Sequence, residues 1–175
     1  MFVISPASEA AFEAVRSFYH TLIDKMQHAK YKPGWEKGVY PADEDLRAAL
    51  AAGTLYVGRI ESGEIVAAMI VNGVGNDGYR GAPWTVAAQA GETSVIHALG
   101  VMPDYTGRGY ARALVQEAIA LARKNHKKAV RLDVLGGNLP AQRLYTGLGF
   151  QYVSTVNMYY ADTGWTDFLL YEYPL

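Results

Sequence analysis

Cysteine is absent from the chain. That excludes a thiolate nucleophile, a disulfide framework and thiolate metal ligands, and it favours no compartment. An excess of one charge is also missing. The formal net charge is −1, so no long-range field draws the chain to nucleic acid or to an anionic membrane. No stretch of about 18 apolar residues exists, and a membrane span is not expected. The opening residues, MFVISPASEA, lack the basic-then-apolar pattern of a signal peptide, so a cytoplasmic location is the expectation. His20, His28 and His126 show no metal-ligand spacing, and no metal is expected. Internal repeats and low-complexity tracts are missing too.

What is present suits one domain over residues 1–175 with a sizeable core. Residues 2–5 (FVIS) read as a short strand. Ser8 is placed to cap a helix through Ala11, Phe12, Val15, Phe18, Tyr19, Leu22 and Ile23, which recur at helical spacing. The segment KYKPGWEKGVYP (30–41) breaks that pattern with two prolines and two glycines. Asp43 is placed to cap a short helix that Gly53 ends. Residues 54–60 and 64–71 are β-rich and joined by ESGE, a hairpin pattern. Residues 72–91 are loop-rich and resist assignment. YRGAPW within them suits a lid, an oligomer contact or a mobile loop.

Residues 93–102 form a strand, and a helix follows to about Asn125. Ala111, Leu114, Val115, Ala118, Ile119 and Ala122 make its apolar stripe. Cations from Arg123 to Lys128 sit where the helix dipole favours them. Residues 129–135 are a strand and 138–147 a helix. Residues 149–160 and 165–173 are two strands joined by ADTG. This order indicates α/β or α+β with a mixed sheet: a parallel pair across the 93–135 crossover and antiparallel hairpins at either end.

Between the strand at 93–102 and its helix lies PDYTGRGYARAL. A glycine-bearing turn at a helix mouth offers unpaired N–H groups and a positive dipole end to a phosphate. No Gly-Lys-Ser/Thr follows, so this is not a P-loop, and the third glycine of the dinucleotide fingerprint is missing. On spacing alone, a plain strand-to-helix turn is an equal reading.

Three stretches occur in order: HALGV (97–101), TGRGYA (106–111) and NLPAQRLYTGLGF (138–150). Together they resemble the GNAT superfamily of acetyl-CoA-dependent N-acetyltransferases. Asn138, Ala141, Tyr145, Gly149 and Phe150 match the last family element at every signature position. The resemblance is close over about residues 93–155. It implies a mostly antiparallel sheet with a splayed parallel pair, flanked by helices. It also implies pantetheine pairing to backbone at Leu99, Gly100 and Val101, and pyrophosphate on the turn at Thr106, Gly107, Arg108, Gly109, Tyr110, Ala111 and Arg112. Asn138, Ala141 and Arg143 are further cofactor-side positions. Thr106 departs from the family's Gln or Arg, which removes one side-chain phosphate contact. Arg108 is on hand to replace it.

The implied reaction is acetyl transfer from acetyl-CoA to a primary amine, by direct attack in a ternary complex. Tyr145 matches the general acid that protonates the leaving thiolate. An N–H near Leu99 or Gly100 matches the oxyanion donor. His97 is the first candidate for the base, because an unperturbed imidazole titrates near neutrality. HALGV also resembles the strand of arylalkylamine N-acetyltransferases, with His97 at the second of two histidines and Val95 replacing the first. Asp133 matches an acidic position that some members use as a base, and a structural hydrogen-bonding role is the alternative. Tyr31, Trp35, Glu36 and Tyr40 lie where the family covers the acceptor, a small molecule or a peptide amine. Glu36 is also a third candidate for the base. Dimers are common in the family, so a homodimer is an open expectation. Two alternatives stand beside this reading: a non-catalytic acyl-CoA sensor on the same fold, and a transferase for a bulkier acyl-CoA.

Overall fold

The computed structural model describes residues 1–175. Seven strands, β1 (Phe2–Pro6), β2 (Leu55–Ile60), β3 (Ile65–Asn72), β4 (Thr93–Val101), β5 (Ala129–Leu135), β6 (Gln151–Tyr160) and β7 (Gly164–Pro174), form one sheet in the order β1-β2-β3-β4-β5-β7-β6. Four helices accompany it: α1 (Phe12–Met26), α2 (Asp43–Ala51), α3 (Tyr110–Lys124) and α4 (Leu139–Thr146). The expected mixed, mostly antiparallel sheet with a parallel pair is present, the pair being β4 and β5. The chain divides into two compact units. One comprises Met1–Lys30, Trp35–Val71 and His97–Glu117; the other comprises residues 31–34, 72–96 and 118–175. No helix is long and apolar enough to cross a membrane.

In the first unit β1, β2 and β3 make an antiparallel meander. The helical stripe read from the sequence is the buried face of α1: Phe12, Val15, Phe18, Tyr19, Leu22 and Ile23. It shares a core with Leu46, Ala49 and Leu50 of α2 and with Leu55, Val57, Ala68 and Ile70 of the strands. Two expected caps are corrected. Ser8 precedes a separate 3-10 turn, Glu9–Ala11, and its side chain makes no capping bond. At α2 the cap residue is Ala42, whose N–H is taken by the Asp45 carboxylate at 2.9 Å. The Asp43 carboxylate is instead drawn to Arg16 of α1, accepting from Nε at 3.1 Å. An ion pair to a neighbouring helix has outcompeted the local cap.

In the second unit β7 lies between β5 and β6, antiparallel to both. The unassigned loop between β3 and β4 is anchored here. Asn76 caps a 3-10 turn, Asp77–Tyr79, accepting the Gly78 N–H at 2.8 Å. The anchor is Glu172 of β7, which is fully buried. Its carboxylate accepts from Arg131 Nε of β5 at 2.8 Å, from the Thr85 and Val86 amides at 2.9 and 3.1 Å, and from the Thr85 hydroxyl. Arg131 also donates to the Val86 carbonyl at 2.7 Å and lies 4.2 Å over the Trp84 ring. A mobile surface loop is therefore the wrong reading for YRGAPW. Tyr79 is buried at its head, and Trp84 is tied down by Arg131 and by a 3.0 Å bond from Nε1 to the Tyr79 carbonyl.

Removing one partner of a buried, hydrogen-bonded ion pair strands the other, at a cost of about 3–5 kcal/mol. Glu172→Gln should lower the urea-unfolding free energy by about 3 kcal/mol. A loss under about 1 kcal/mol would show that the loop is held by other means.

Candidate active site

On the first unit, the distal half of β4 is not a plain strand. Ala98 has a left-handed φ of +48°. Outside glycine that conformation is uncommon and needs support. The support is Tyr19 of α1: fully buried, it donates its hydroxyl to the Ala98 carbonyl at 2.7 Å. Burial is the main reason the Tyr19 phenol titrates well above its ordinary range, with Tyr40 adding to it, so the group stays a donor. One turn on along α1, Leu22 meets the same strand. A Cβ at Gly100 would lie 2.5 Å from Leu22 Cδ2 and 3.2 Å from Trp35 Cζ3. Glycine there lets α1 and Trp35 close onto the backbone. His97, Leu99 and Val101 are half-buried between the buried Ala98 and Gly100. Strict alternation assumes unbroken extended backbone, and Ala98 interrupts it between His97 and Leu99.

The turn after β4 begins with a 3-10 segment, Pro103–Tyr105. The Thr106 hydroxyl donates to the Pro103 carbonyl at 2.9 Å. Thr106 thus tightens the turn with the donor that a phosphate would otherwise receive. Gly107 and Gly109 have φ of +75° and +81°, and a Cβ on either would meet nothing within 4 Å. Helical bonding includes Ala113 N–H to Gly109 O, and the amides of Tyr110 and Ala111 precede it at the helix mouth. The first turn of α3 carries no acidic side chain, whereas that of α2 carries Asp43, Glu44 and Asp45. Exposed Arg108 lies 5.0 Å over the Tyr105 ring. Tyr105 stacks on Tyr110, and Tyr110 on Phe2 of β1 at 3.9 Å between centroids. Open space, unladdered amides and a cation fit a phosphate group.

Among the acceptor-side candidates, Trp35 and Tyr40 pack together in the first unit, with ring centroids 6.4 Å apart and Trp35 5.9 Å from Tyr19. Glu36 is exposed, and its carbonyl accepts the Val39 and Tyr40 amides at 3.0 Å each. Tyr31 is assigned elsewhere. It belongs with residues 32–34 to the second unit, where Gly34 packs closely on Thr163 and Leu135.

On the second unit, Asn138 caps α4, and its side chain accepts the Ala141 N–H. Arg143 is exposed in the last turn. Tyr145, from the same helix, is buried against Phe150 with centroids 5.5 Å apart. Burial, and then the Asp133 charge, push its phenol well above the usual range. Asp133 of β5 accepts two phenolic protons at 2.8 Å each, from Tyr79 and from Tyr160 at the end of β6. Those two tyrosines and Tyr19 are hidden in the sequence. Tyr19 looks like one more stripe residue, and Tyr79 sits in an unreadable loop.

A mixed sheet with one parallel pair, and a helix mouth open to an anion, define the class: an α/β fold whose turn after β4 suits a phosphate-bearing ligand. The family is fixed by comparison. The model of the acetyltransferase (GNAT) family matches residues 18–150, and the chain belongs to that family. A GNAT acetyltransferase structure from Streptococcus agalactiae shares the fold with TM-score 0.79 at 17% identity, over 99% of this chain and 95% of that one. The yncA structure from Salmonella typhimurium, solved with its cofactor acetyl-CoA, gives 0.70 at 20% identity, over 100% and 94%. Mycothiol acetyltransferase of Propionibacterium freudenreichii subsp. shermanii is 33% identical over 138 residues, 74% of this chain and 39% of that protein. N-alpha-acetyltransferase RimI of Mycobacterium tuberculosis is 39% identical over 69 residues, 39% of this chain and 42% of that protein. The chain thus spans less than half the length of these two curated relatives.

Tyr145 holds its proton in the folded chain at a pH where the unfolded chain, near the ordinary value of 10.0, has lost it. Its contribution to stability is full below about pH 10 and falls as pH rises toward the folded pKa. Unfolding midpoints should therefore drop as pH rises above about 10. Tyr145→Phe should flatten part of that slope, and an unchanged slope would count against the buried, neutral phenol.

Proposed function

We propose that the chain transfers an acetyl group from acetyl-CoA to a primary amine carried by a small molecule or a peptide. The observation that carries this reading is the turn at Gly107 and Gly109, open above both glycines and followed by a helix mouth free of carboxylates. In this reading the Leu99–Val101 backbone holds the pantetheine arm. The turn from Thr106 to Arg112 takes the pyrophosphate through amides and Arg108, while Thr106 contributes only its backbone. Asn138, Ala141 and Arg143 complete the cofactor side. The cofactor supplies an activated acyl thioester.

His97 takes the amine proton as the C–N bond forms. Tyr145 gives a proton to sulfur as the C–S bond breaks. A phenol held well above its ordinary pKa by burial and by Asp133 is fully protonated at neutral pH, which keeps the acid loaded. Asp133, already accepting from two phenols, serves to hold charge beside Tyr145. Trp35, Tyr40 and Glu36, with Tyr31, form the acceptor side. One relative's name specifies an N-alpha group and the other's mycothiol, which keeps peptide and small-molecule amines together in the proposal.

Free-thiol release across an amine panel tests the assignment. Tyr145→Phe should lower kcat about a hundredfold with CoA affinity little changed. His97→Gln should remove the pH–rate limb near neutrality, and survival of that limb would displace His97 as the base. Acetyl-CoA binding measured by calorimetry, with no turnover on any amine, would favour the sensor reading.

A further inference from the structure

We propose that Tyr19 is a positioning residue for the acyl carbonyl, acting through the Ala98–Leu99 peptide to aim the Leu99 N–H. The inference rests on the acetyl-CoA reading above. A trans peptide is rigid, and its C=O and N–H point in opposite directions. Tyr19 grips the C=O of that peptide at 2.7 Å in buried surroundings. Fixing one end of a planar group fixes the other, so the Leu99 N–H is held without being touched.

The direction of that N–H follows from the strand. The Met102 N–H donates to the Val66 carbonyl of β3 at 2.8 Å. Along extended backbone successive amides leave by opposite edges. In regular pleat Gly100 would therefore point its N–H the same way as Met102, and Leu99 and Val101 theirs to the edge away from β3. A strand in regular pleat would deliver the Leu99 amide to that edge as an ordinary ladder donor. The left-handed φ of +48° at Ala98 breaks the regular pleat there, and the carbonyl of this peptide is held by Tyr19 of α1.

Alanine adopts such a φ at a cost of about 1–2 kcal/mol, and the surroundings supply the restraint. Tyr19 binds the carbonyl; Leu22, three residues along the same helix, and Trp35 close on Gly100 just beyond it. Tyr19 itself is wedged between Phe18 and Trp35, at centroid distances of 5.1 and 5.9 Å. The donor cannot ionise at working pH, since burial and Tyr40 hold the phenol above its ordinary range. An amide pre-aimed by a buried neutral donor reorganises little when charge develops on an acyl oxygen.

The test uses bound acetyl-CoA with an isotope-labelled acetyl carbonyl, read by difference infrared spectroscopy, and needs no acceptor. In the wild-type chain the carbonyl stretch should shift to lower frequency on binding. Tyr19→Phe keeps the ring and should lose much of that shift. It should also reduce the preference for acetyl-CoA over CoA about fivefold, the weight of one hydrogen bond. In an Ala98→Gly background, where left-handed backbone carries no penalty, the effect of Tyr19→Phe should be smaller. Ala98→Val, with Tyr19 intact, should lose the shift because a β-branched residue resists that φ; it answers the question if Tyr19→Phe folds poorly. Equal shifts in wild type, Tyr19→Phe and Ala98→Val overturn the proposal while the acetyl-CoA reading stands. No acetyl-CoA binding by the wild-type chain overturns both.

Discussion

A carboxylate with no exposed surface organises the second unit. Burying a carboxylate without partners is costly, and Glu172 has recruited them from two places in the sequence: Arg131 on the next strand, and Thr85 and Val86 in the long loop. Because two of those partners are backbone amides, the loop is held by its main chain, and the Trp84 ring is carried onto Arg131. The same fixation delivers Tyr79 to Asp133. Asp133, the charge beside Tyr145, is thus contacted by a loop whose anchor is a buried acid far from it in sequence.

The first unit solves a different problem by related means. There the strained element is one peptide of β4, and the stabilising group is a phenol rather than a carboxylate. A neutral donor suits that role because it satisfies a carbonyl without burying a charge. The buried tyrosines Tyr19 and Tyr145, one in each unit, are both kept neutral by burial.

Most elements are legible in the sequence because their physics is local. The α1 stripe, the ESGE and ADTG hairpins and the boundaries of β5 follow from periodicity and turn chemistry that neighbours in sequence decide. Ser8 and Asp43 depart from expectation because tertiary structure, such as the pull of Arg16, overrides a local cap. The 72–92 loop is opaque for the same reason. Nothing within it signals that Glu172, some ninety residues later, will bind it. The turn at Thr106–Ala111 is visible, but the inward hydroxyl of Thr106 is not, since its acceptor, the Pro103 carbonyl, belongs to a 3-10 segment with little sequence signal. Periodicity puts Tyr19 in the core, which is correct and incomplete: it reports which side a residue faces, never what its hydroxyl reaches.

The stack of Phe2 on Tyr110 has a kinetic meaning. Helix α3 has the local propensity to form early, yet the first residue of its mouth is braced by a strand at the other end of a very long chain loop. Contacts of such separation close late, after the intervening chain has lost its entropy. Helical signal and the Phe2–Tyr110 stack should therefore arrive at different times during refolding. The turn reaches its final rigidity only when β1 has docked.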